Sequence, residues 1–457
     1  MNISPELEGL ARFAVETKWE DLPPKVISDT KIFLMDSIGC GLGGVTTDPG
    51  KMAIAVAKRI GGTPESSIIG VKGKVSCVSA VLANGQLINA LDWEALTGHT
   101  PPYIVPPALA MAEVYDVSGR DLILAEAIAL EVAMRVSAAL AAGGFVIGDD
   151  GRVKWPERQG YANLNFGVAA AAGKVMKLNQ NKMVHAMGTA GHLSQVLTWV
   201  RHTFQEPRGM VKYGVAGWQN TGGVIAALLA ELGFYGDPTV FDPKEGFWKF
   251  AGYTGGWHPE RILKGIGTDW MFFKKILFKP FPSCRQFQTE TEILLDMMEE
   301  NKIRADEIES IHVYGHPTFL EPAFTSRGLN HIVDIHFSPA YTMAMAAQGI
   351  ARGVDWQDME VARTPKITDL VSRISYTGHP EFREKQMVRV ELAARGRVFK
   401  EERPFNSLHE MTEQDLVKKY RHNAGKILTH QQVEESIKCF LSLENLPKVS
   451  LLAAQIT

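Results

Sequence analysis

Apolar residues recur at helical spacing through the first 270 residues. Leu7, Leu10, Phe13 and Ala14 mark one amphipathic segment. Ile27, Ile32, Leu34 and Ile38 mark another, opened by Pro23-Pro24 and closed at Gly39. The clearest helix opens at Ser118-Gly-Arg-Asp121, a Ser-x-x-Asp capping signal, and runs through Leu122, Ala125, Ile128, Val132 and Arg135 toward Leu140. Small residues are dense (Ala169 to Ala172, Gly222-Gly223, Ala226-Ala227), which lets helices pack closely. The pattern predicts a compact all-helical body.

After Trp270 the pattern changes. Phe278-Lys279-Pro280-Phe281-Pro282 cannot be helix interior, because proline fixes φ and lacks a donor. A helix is predicted near Arg285 to Asn301. Ile308 to Tyr314 alternates as a strand does, and Met387 to Ala393 with Arg397 to Glu401 reads as a hairpin turning at Gly396. Helical spacing returns after Thr412 with Leu416, Tyr420, Val433, Ile437 and Leu441. The fold class is therefore mainly α, with a smaller α+β unit inserted in a helical domain. The boundaries read as 1–274 for the first helical part, 275–405 for the α+β lid and 406–457 for the helical return.

The chain has 457 residues, a formal net charge of −3 and no basic run, so nothing points to nucleic acid. No apolar stretch reaches membrane length, and the N-terminus lacks the basic and apolar regions of a signal peptide. Cys40, Cys77, Cys284 and Cys439 are widely spaced without a CxxC pair, which fits reduced thiols in the cytoplasm and argues against zinc.

The chemistry concentrates between Asn84 and Pro107. Asp92, Glu94 and His99 fall within eight residues, between an Ala-rich approach and a Pro-rich exit. A carboxylate beside histidine suits acid–base work, since imidazole takes and returns protons near neutral pH. The competing reading is a surface loop whose Asp caps a helix. Arg135, inside an apolar helix, reads as internally paired. His202 and His336 lack metal-ligand spacing.

Several stretches, in order, resemble the MmgE/PrpD family: Asn84-Gly85 with Asp92, His99 with Pro106, Ser118-Gly-Arg-Asp-Leu with Glu131-Val and Arg135, Phe166-Gly-Val-Ala-Ala-Ala-Ala-Gly-Lys, Lys212-Tyr-Gly-Val-Ala, Lys279-Pro-Phe-Pro-Ser-Cys284, and Ser338-Pro-Ala-Tyr341. The family includes 2-methylcitrate dehydratase, cis-aconitate decarboxylase and iminodisuccinate epimerase. The resemblance implies a helical domain with an α+β lid, a homodimer, a small polycarboxylate substrate, and neither metal nor organic cofactor. It implies His99 as acid/base, Asp92 as the group orienting that imidazole, Lys212 and Lys279 as anion clamps, Tyr341 as a substrate or proton contact, and Cys284 as a lining residue. Glu94-Ala95 stands where the family carries an acidic pair, Leu96 replaces a threonine, and Tyr161 or a neighbour replaces the expected second histidine, with Tyr161 either a proton donor in its place or a space-filling residue. The implied reaction moves a proton at a carbon α to a carboxylate. Dehydration of a 2-methylcitrate-like acid comes first, with epimerisation or decarboxylation as alternatives. A non-catalytic ligand-binding member is the rival of another class.

Overall fold

The computed structural model describes residues 3–140, 146–147, 153–154, 158–198, 208–251 and 256–457. His202 lies outside them. The described chain is mainly helical. The body is built from α1 (Pro5–Glu16), α2 (Pro24–Gly44), α3 (Asp48–Ile60), α4 (Cys77–Asn89), α5 (Pro101–Val114), α6 (Gly119–Ala139), α7 (Leu164–Val175), α8 (Gln180–His192) and α9 (Val211–Glu231). The capping box before α6 forms as read: Ser118 Oγ accepts the Asp121 amide at 3.2 Å, and Asp121 accepts the Ser118 amide at 3.1 Å.

Two features of the body correct the sequence reading. Helix α2 does not stop at Gly39 but continues to Gly44. The glycine is there for packing, since a Cβ on it would meet Tyr420 at 2.8 Å. The body is also not purely helical. Strands β1 (Ser66–Ile68) and β2 (Val71–Val75) form an antiparallel hairpin, and short pairs join Val146–Ile147 to Val153–Lys154 and Arg158–Gly160 to Val196–Thr198. Asn84 of α4 holds the first hairpin. Its Oδ1 accepts the Ile69 amide at 2.9 Å and its Nδ2 donates to the Ser67 carbonyl at 3.1 Å.

Helix α9 crosses α4 closely. A Cβ on Gly85 would lie 2.8 Å from the Gly217 backbone, so the Asn84-Gly85 pair serves the scaffold. Helix α5 carries Pro106 and Pro107 in its interior. Pro106 has no N–H for the carbonyl of Pro102 four residues back. Asn220 of α9 supplies one instead, its Nδ2 donating to Pro102 O at 2.7 Å.

A second apolar core forms around a four-stranded sheet. Strands β3 (Ile308–Gly315), β4 (Ile374–Gly378), β5 (Met387–Ala394) and β6 (Arg397–Pro404) take the order β6-β5-β3-β4. The β5–β6 hairpin is antiparallel and turns at Arg395-Gly396, both at positive φ (55° and 66°). Strand β4 pairs parallel with β3 and was not apparent in the sequence pattern. Ile311, Val313, Val388, Val390 and Leu392 are buried with Ile293, Leu294 and Met297 of α10 (Gln288–Glu300). Edge strand β6 is largely exposed and charged, which blunts further pairing.

The two cores draw on different stretches of chain. One collects residues from Leu7 to Phe273 and again from Leu416 to Ile456. The other collects Phe281 to Ala394, together with Tyr213 of α9. Helices α12 (Glu413–Ala424) and α13 (His430–Leu441), which follow α11 (Pro339–Ala347), return the chain to the first core, where α12 packs on α2. Among the described residues, no helix is long and apolar enough to cross a membrane.

Candidate active site

Ser76 caps α4, accepting the Ser79 amide at 3.2 Å, and the helix delivers the chain to Asp92. There the backbone turns left-handed, at φ 48°, and does so again at His99, at φ 53°. Left-handed backbone at non-glycine residues is costly and collects at functional sites. Between the two turns, the Leu96 amide donates to the Leu277 carbonyl at 2.6 Å and the Leu277 amide to Thr97 Oγ1 at 3.3 Å. These bonds stitch the loop to the segment that leads into Lys279.

Asp92 is fully buried and shared between two lysines. Lys212, at the start of α9, donates to Oδ2 at 2.8 Å. Lys279, from the Pro-rich turn, donates to Oδ1 at 2.6 Å and to the Asp92 carbonyl at 2.7 Å. Burial works against the Asp92 charge, but Lys212 and Lys279, with His99 and His336 near by, outweigh it and hold the carboxyl well below the usual range. Burial likewise works against the Lys212 ammonium, and Asp92, then Glu94 and Cys284, more than reverse this, so its pKa is raised. Phe337 and Tyr213 place ring faces 5.1 Å and 4.9 Å from Lys212 Nζ.

The carboxylate in contact with the imidazole is Glu94. Its Oε1 lies 3.0 Å from His99 Nδ1, and Glu94 is fully buried while the His99 side chain is 20% exposed. Burial lowers the His99 pKa, and Lys212 and Lys279 add to this against the lift from Glu94. The imidazole is therefore neutral at pH 7. Nδ1–H then points at Glu94, and Nε2 is left as the proton acceptor. The Glu94 carboxyl, opposed by burial, is lowered by Lys279 and by the His99 hydrogen bond. Tyr161 meets His99 edge-on, with ring centroids 6.2 Å apart, and lies tilted at 34° to the Tyr103 ring, centroids 5.0 Å apart.

Behind Asp92, the Tyr213 hydroxyl lies 2.7 Å from His336 Nδ1 and 3.4 Å from Asp92 Oδ2. Burial pushes His336 down to about 4, so this second imidazole of the cluster is neutral. The His336 carbonyl accepts the Cys284 amide at 2.9 Å. Burial, and then Asp92, raise the Cys284 thiol, which disfavours its thiolate.

Of the residues singled out from sequence, the structure gathers Asp92, His99, Lys212, Lys279, Cys284 and Tyr161. Tyr341 makes no hydrogen bond to these among the described residues: its hydroxyl donates to the Arg327 carbonyl at 3.4 Å, and Arg327, Arg363 and Asp334 are its charged neighbours. Arg135 is internally paired, as read. It meets Glu131 at 2.7 Å and donates to the carbonyls of Ile262, Lys264, Gly265 and Asp269. Sequence reasoning missed Glu94 as the partner of His99 and Tyr213 as part of the cluster, and weighed His336 only as a metal ligand. The five-residue spacing from Glu94 to His99 was the available signal for the first. Nothing local marked the other two.

Asp92, Glu94 and His99 offer ligand atoms within 4.8 Å of one another, a spacing a metal ion also uses. Both Asp92 oxygens are already taken by ammonium groups, and a cation there would have to displace them. The arrangement suits proton transfer instead, with a neutral base set beside fixed positive charge. A lysine has three N–H donors. Toward Asp92, Lys212 spends one and Lys279 two, which leaves donors to spare for an anionic ligand.

The chain matches the MmgE/PrpD N-terminal domain over residues 8–260 and the MmgE/PrpD C-terminal domain over residues 281–445. A cis-aconitate decarboxylase of Aspergillus terreus is 22% identical over 481 residues, covering 96% of this chain and 94% of that protein. The cis-aconitate decarboxylase of Homo sapiens is 24% identical over 465 residues, covering 94% and 90%. The cis-aconitate decarboxylase-like protein oryM of Aspergillus oryzae is 26% identical over 288 residues, a match that spans 59% of this chain and 56% of that one. With both domains matched in order over most of its length, the chain belongs to the MmgE/PrpD family.

Proposed function

We propose that this protein is a cofactor-independent lyase acting on a small polycarboxylate by moving a proton at a carbon α to a carboxylate. The observation that carries the reading is the Glu94–His99 contact at 3.0 Å, set beside the carboxylate that gathers two buried lysines. In the forward step His99 Nε2 takes the α-proton. The electron pair moves into the carboxylate, and the remaining donors of Lys212 and Lys279 stabilise the enediolate as its charge grows. Collapse expels the β-hydroxide, which leaves as water with the proton His99 took. The products are an alkene and water, as for a 2-methylcitrate-like hydroxy acid.

A resting neutral base favours such chemistry, since elimination and epimerisation both begin by accepting a proton. Decarboxylation is the second reading, favoured by the names of the relatives. There a carbanion is left as CO₂ departs, and His99 must start charged to protonate it. Burial and the two ammonium groups oppose that state.

Residues 275–405 are proposed to act as a lid inserted between 1–274 and 406–457, closed when Lys279 seats on Asp92 and excludes water. We further propose a homodimer in the cytoplasm. The cysteines are free, which supports a reducing compartment. Val211, Trp218 and Ile225 of α9 and Leu232 at its C-cap recur every seven residues, are 38% to 85% exposed, and form an apolar stripe suited to a second copy.

The test is a screen of di- and tricarboxylic acids in D₂O by NMR. Deuterium entering at one carbon α to a carboxylate, with wild type and not with H99Q, supports the reading. Exchange that persists in H99Q refutes His99 as the proton carrier.

A further inference from the structure

Lysines from three separate segments end on one tripeptide. Lys212 and Lys279 take Asp92. The third, Lys419, comes from α12, 326 residues from Trp93 along the chain, and donates to the Trp93 carbonyl oxygen at 2.6 Å. Its ammonium also lies 4.7 Å from the centre of the Trp93 ring. The counter-ion is Asp36 of α2, 2.7 Å away. Lys419 is 5% exposed and Asp36 1%. The Asp36 carboxyl is raised: burial, with Glu94 adding to it, outweighs the pull of Lys419 and the facing Ala95 amide.

One buried ion pair thus borders both peptide groups that flank Glu94: Lys419 holds the Trp93 carbonyl, and Asp36 faces the Ala95 amide. The fold alone gives little reason for this pair, because a well-packed apolar pair of the same volume is commonly as stable or more so. Asp92 has anchors of its own in Lys212 and Lys279. Glu94 has none: among the described residues its one hydrogen bond is to His99, and its Oε2 is buried without a partner.

We propose that Asp36 and Lys419 are positioning residues of the active site, an ion pair that fixes the Glu94 carboxylate against the His99 imidazole. Neither touches the imidazole. They act through the peptide group that precedes Glu94, whose carbonyl Lys419 holds, so α12 takes part in aligning the base. The inference rests on the reading of His99 as the proton carrier. The groups that face His99 are Glu94, Asp92, Lys212, Lys279 and the edge of Tyr161. Release of the pair loosens Glu94 and leaves the two ammonium groups in place, so the imidazole becomes harder to protonate.

The test follows the His99 ring by NMR in protein labelled with ¹³C at the histidine ring, without substrate, so that the readout does not depend on the reaction. The resonance is assigned by its loss in H99Q. The double variant D36N/K419M removes both charges and leaves no buried ion behind. Its His99 midpoint should fall by about one pH unit, the direction and size expected of E94Q, which removes the carboxylate itself. Turnover should fall about tenfold, with KM changed by no more than about twofold. K419R, which keeps the charge on a different geometry, should shift His99 the same way by less and serves if the double variant does not fold. An unmoved His99 midpoint in the double variant, or in K419R where that variant is used, overturns the proposal, whatever happens to thermal stability. If E94Q leaves the midpoint unmoved, the contact with Glu94 does not control His99, and the proposal falls with it. If E94Q and D36N/K419M both shift the midpoint and turnover is untouched, the positioning role stands and the assignment of His99 as base fails.

Discussion

Asp92→Asn keeps the shape of the side chain and removes its charge. Two ammonium groups at 2.8 Å and 2.6 Å then lose their counter-ion, one of them on a fully buried lysine. Breaking a buried pair by removing one partner costs about 3–5 kcal/mol. The loss is capped because a lysine can shed its proton. From an unperturbed pKa near 10.4, neutralising it at pH 7 costs about 4.6 kcal/mol, at about 1.36 kcal/mol per pH unit. At pH 10 the same step costs only about 0.5 kcal/mol. The stability deficit of D92N should therefore be about 3–5 kcal/mol at pH 7 and shrink to about 1 kcal/mol or less at pH 10.

The sign is opposite in the wild type. There the folded Lys212 pKa is raised, so its contribution is full below the unfolded pKa and is lost as pH rises through the folded one. In D92N a lysine pKa is depressed on folding, the unfolded chain binds more protons, and stability rises with pH. Equilibrium urea denaturation followed by tryptophan fluorescence at pH 7 and pH 10 measures both. The double variant D92N/K279M, which removes one orphaned ammonium, should recover part of the loss at pH 7. A deficit below about 1 kcal/mol at pH 7, or an equal deficit at both pH values, would refute the electrostatic account of this cluster.

Other consequences are quicker to check. His99→Gln should fold normally and lower turnover by about 10²–10⁴, the span of general acid–base groups, in a steady-state assay on the substrate found by deuterium exchange. The acid limb of kcat/KM in the wild type should fall below pH 6.5, because burial and the two lysines lower the His99 pKa, and that limb should vanish in H99Q. Lys212→Met should raise KM as well as lower turnover, with arginine restoring only part of the loss, as read from initial rates. Trp218→Glu places a charge in the middle of the α9 stripe and should convert a dimer to monomers in light scattering at micromolar concentration, without change in circular dichroism.

Local signals carried the frame. The Ser118 capping box, the turn at Gly396 and the return to helix after Thr412 were legible because each is set by a few neighbouring residues. The overrun of α2 past Gly39 was not, since the glycine is selected by a tyrosine nearly four hundred positions on (Tyr420). Strand β4 escaped notice because its partner is β3, far back in the chain, and a five-residue run has little pattern of its own. The site divides in the same way. Asp92, Glu94 and His99 announce themselves by proximity, but which carboxylate serves the imidazole depends on lysines 120 and 187 residues away that claim Asp92. With Asp92 engaged by both, Glu94 is the one left to face His99. Tyr213 and His336 meet only because α9 reaches the second core.

The replacement of a helical hydrogen bond in α5 by Asn220 has an evolutionary consequence. As long as Pro106 is present, Asn220 is the donor that the Pro102 carbonyl depends on, and losing it strands a buried acceptor. Once position 106 regains an N–H, that duty lapses and position 220 is free to drift. The two sites are epistatic with a fixed order of change: proline must go before asparagine can. Descendant sequences should therefore rarely hold Pro106 without a side-chain donor at 220, and the helix that follows His99 inherits its partner on α9 together with its proline.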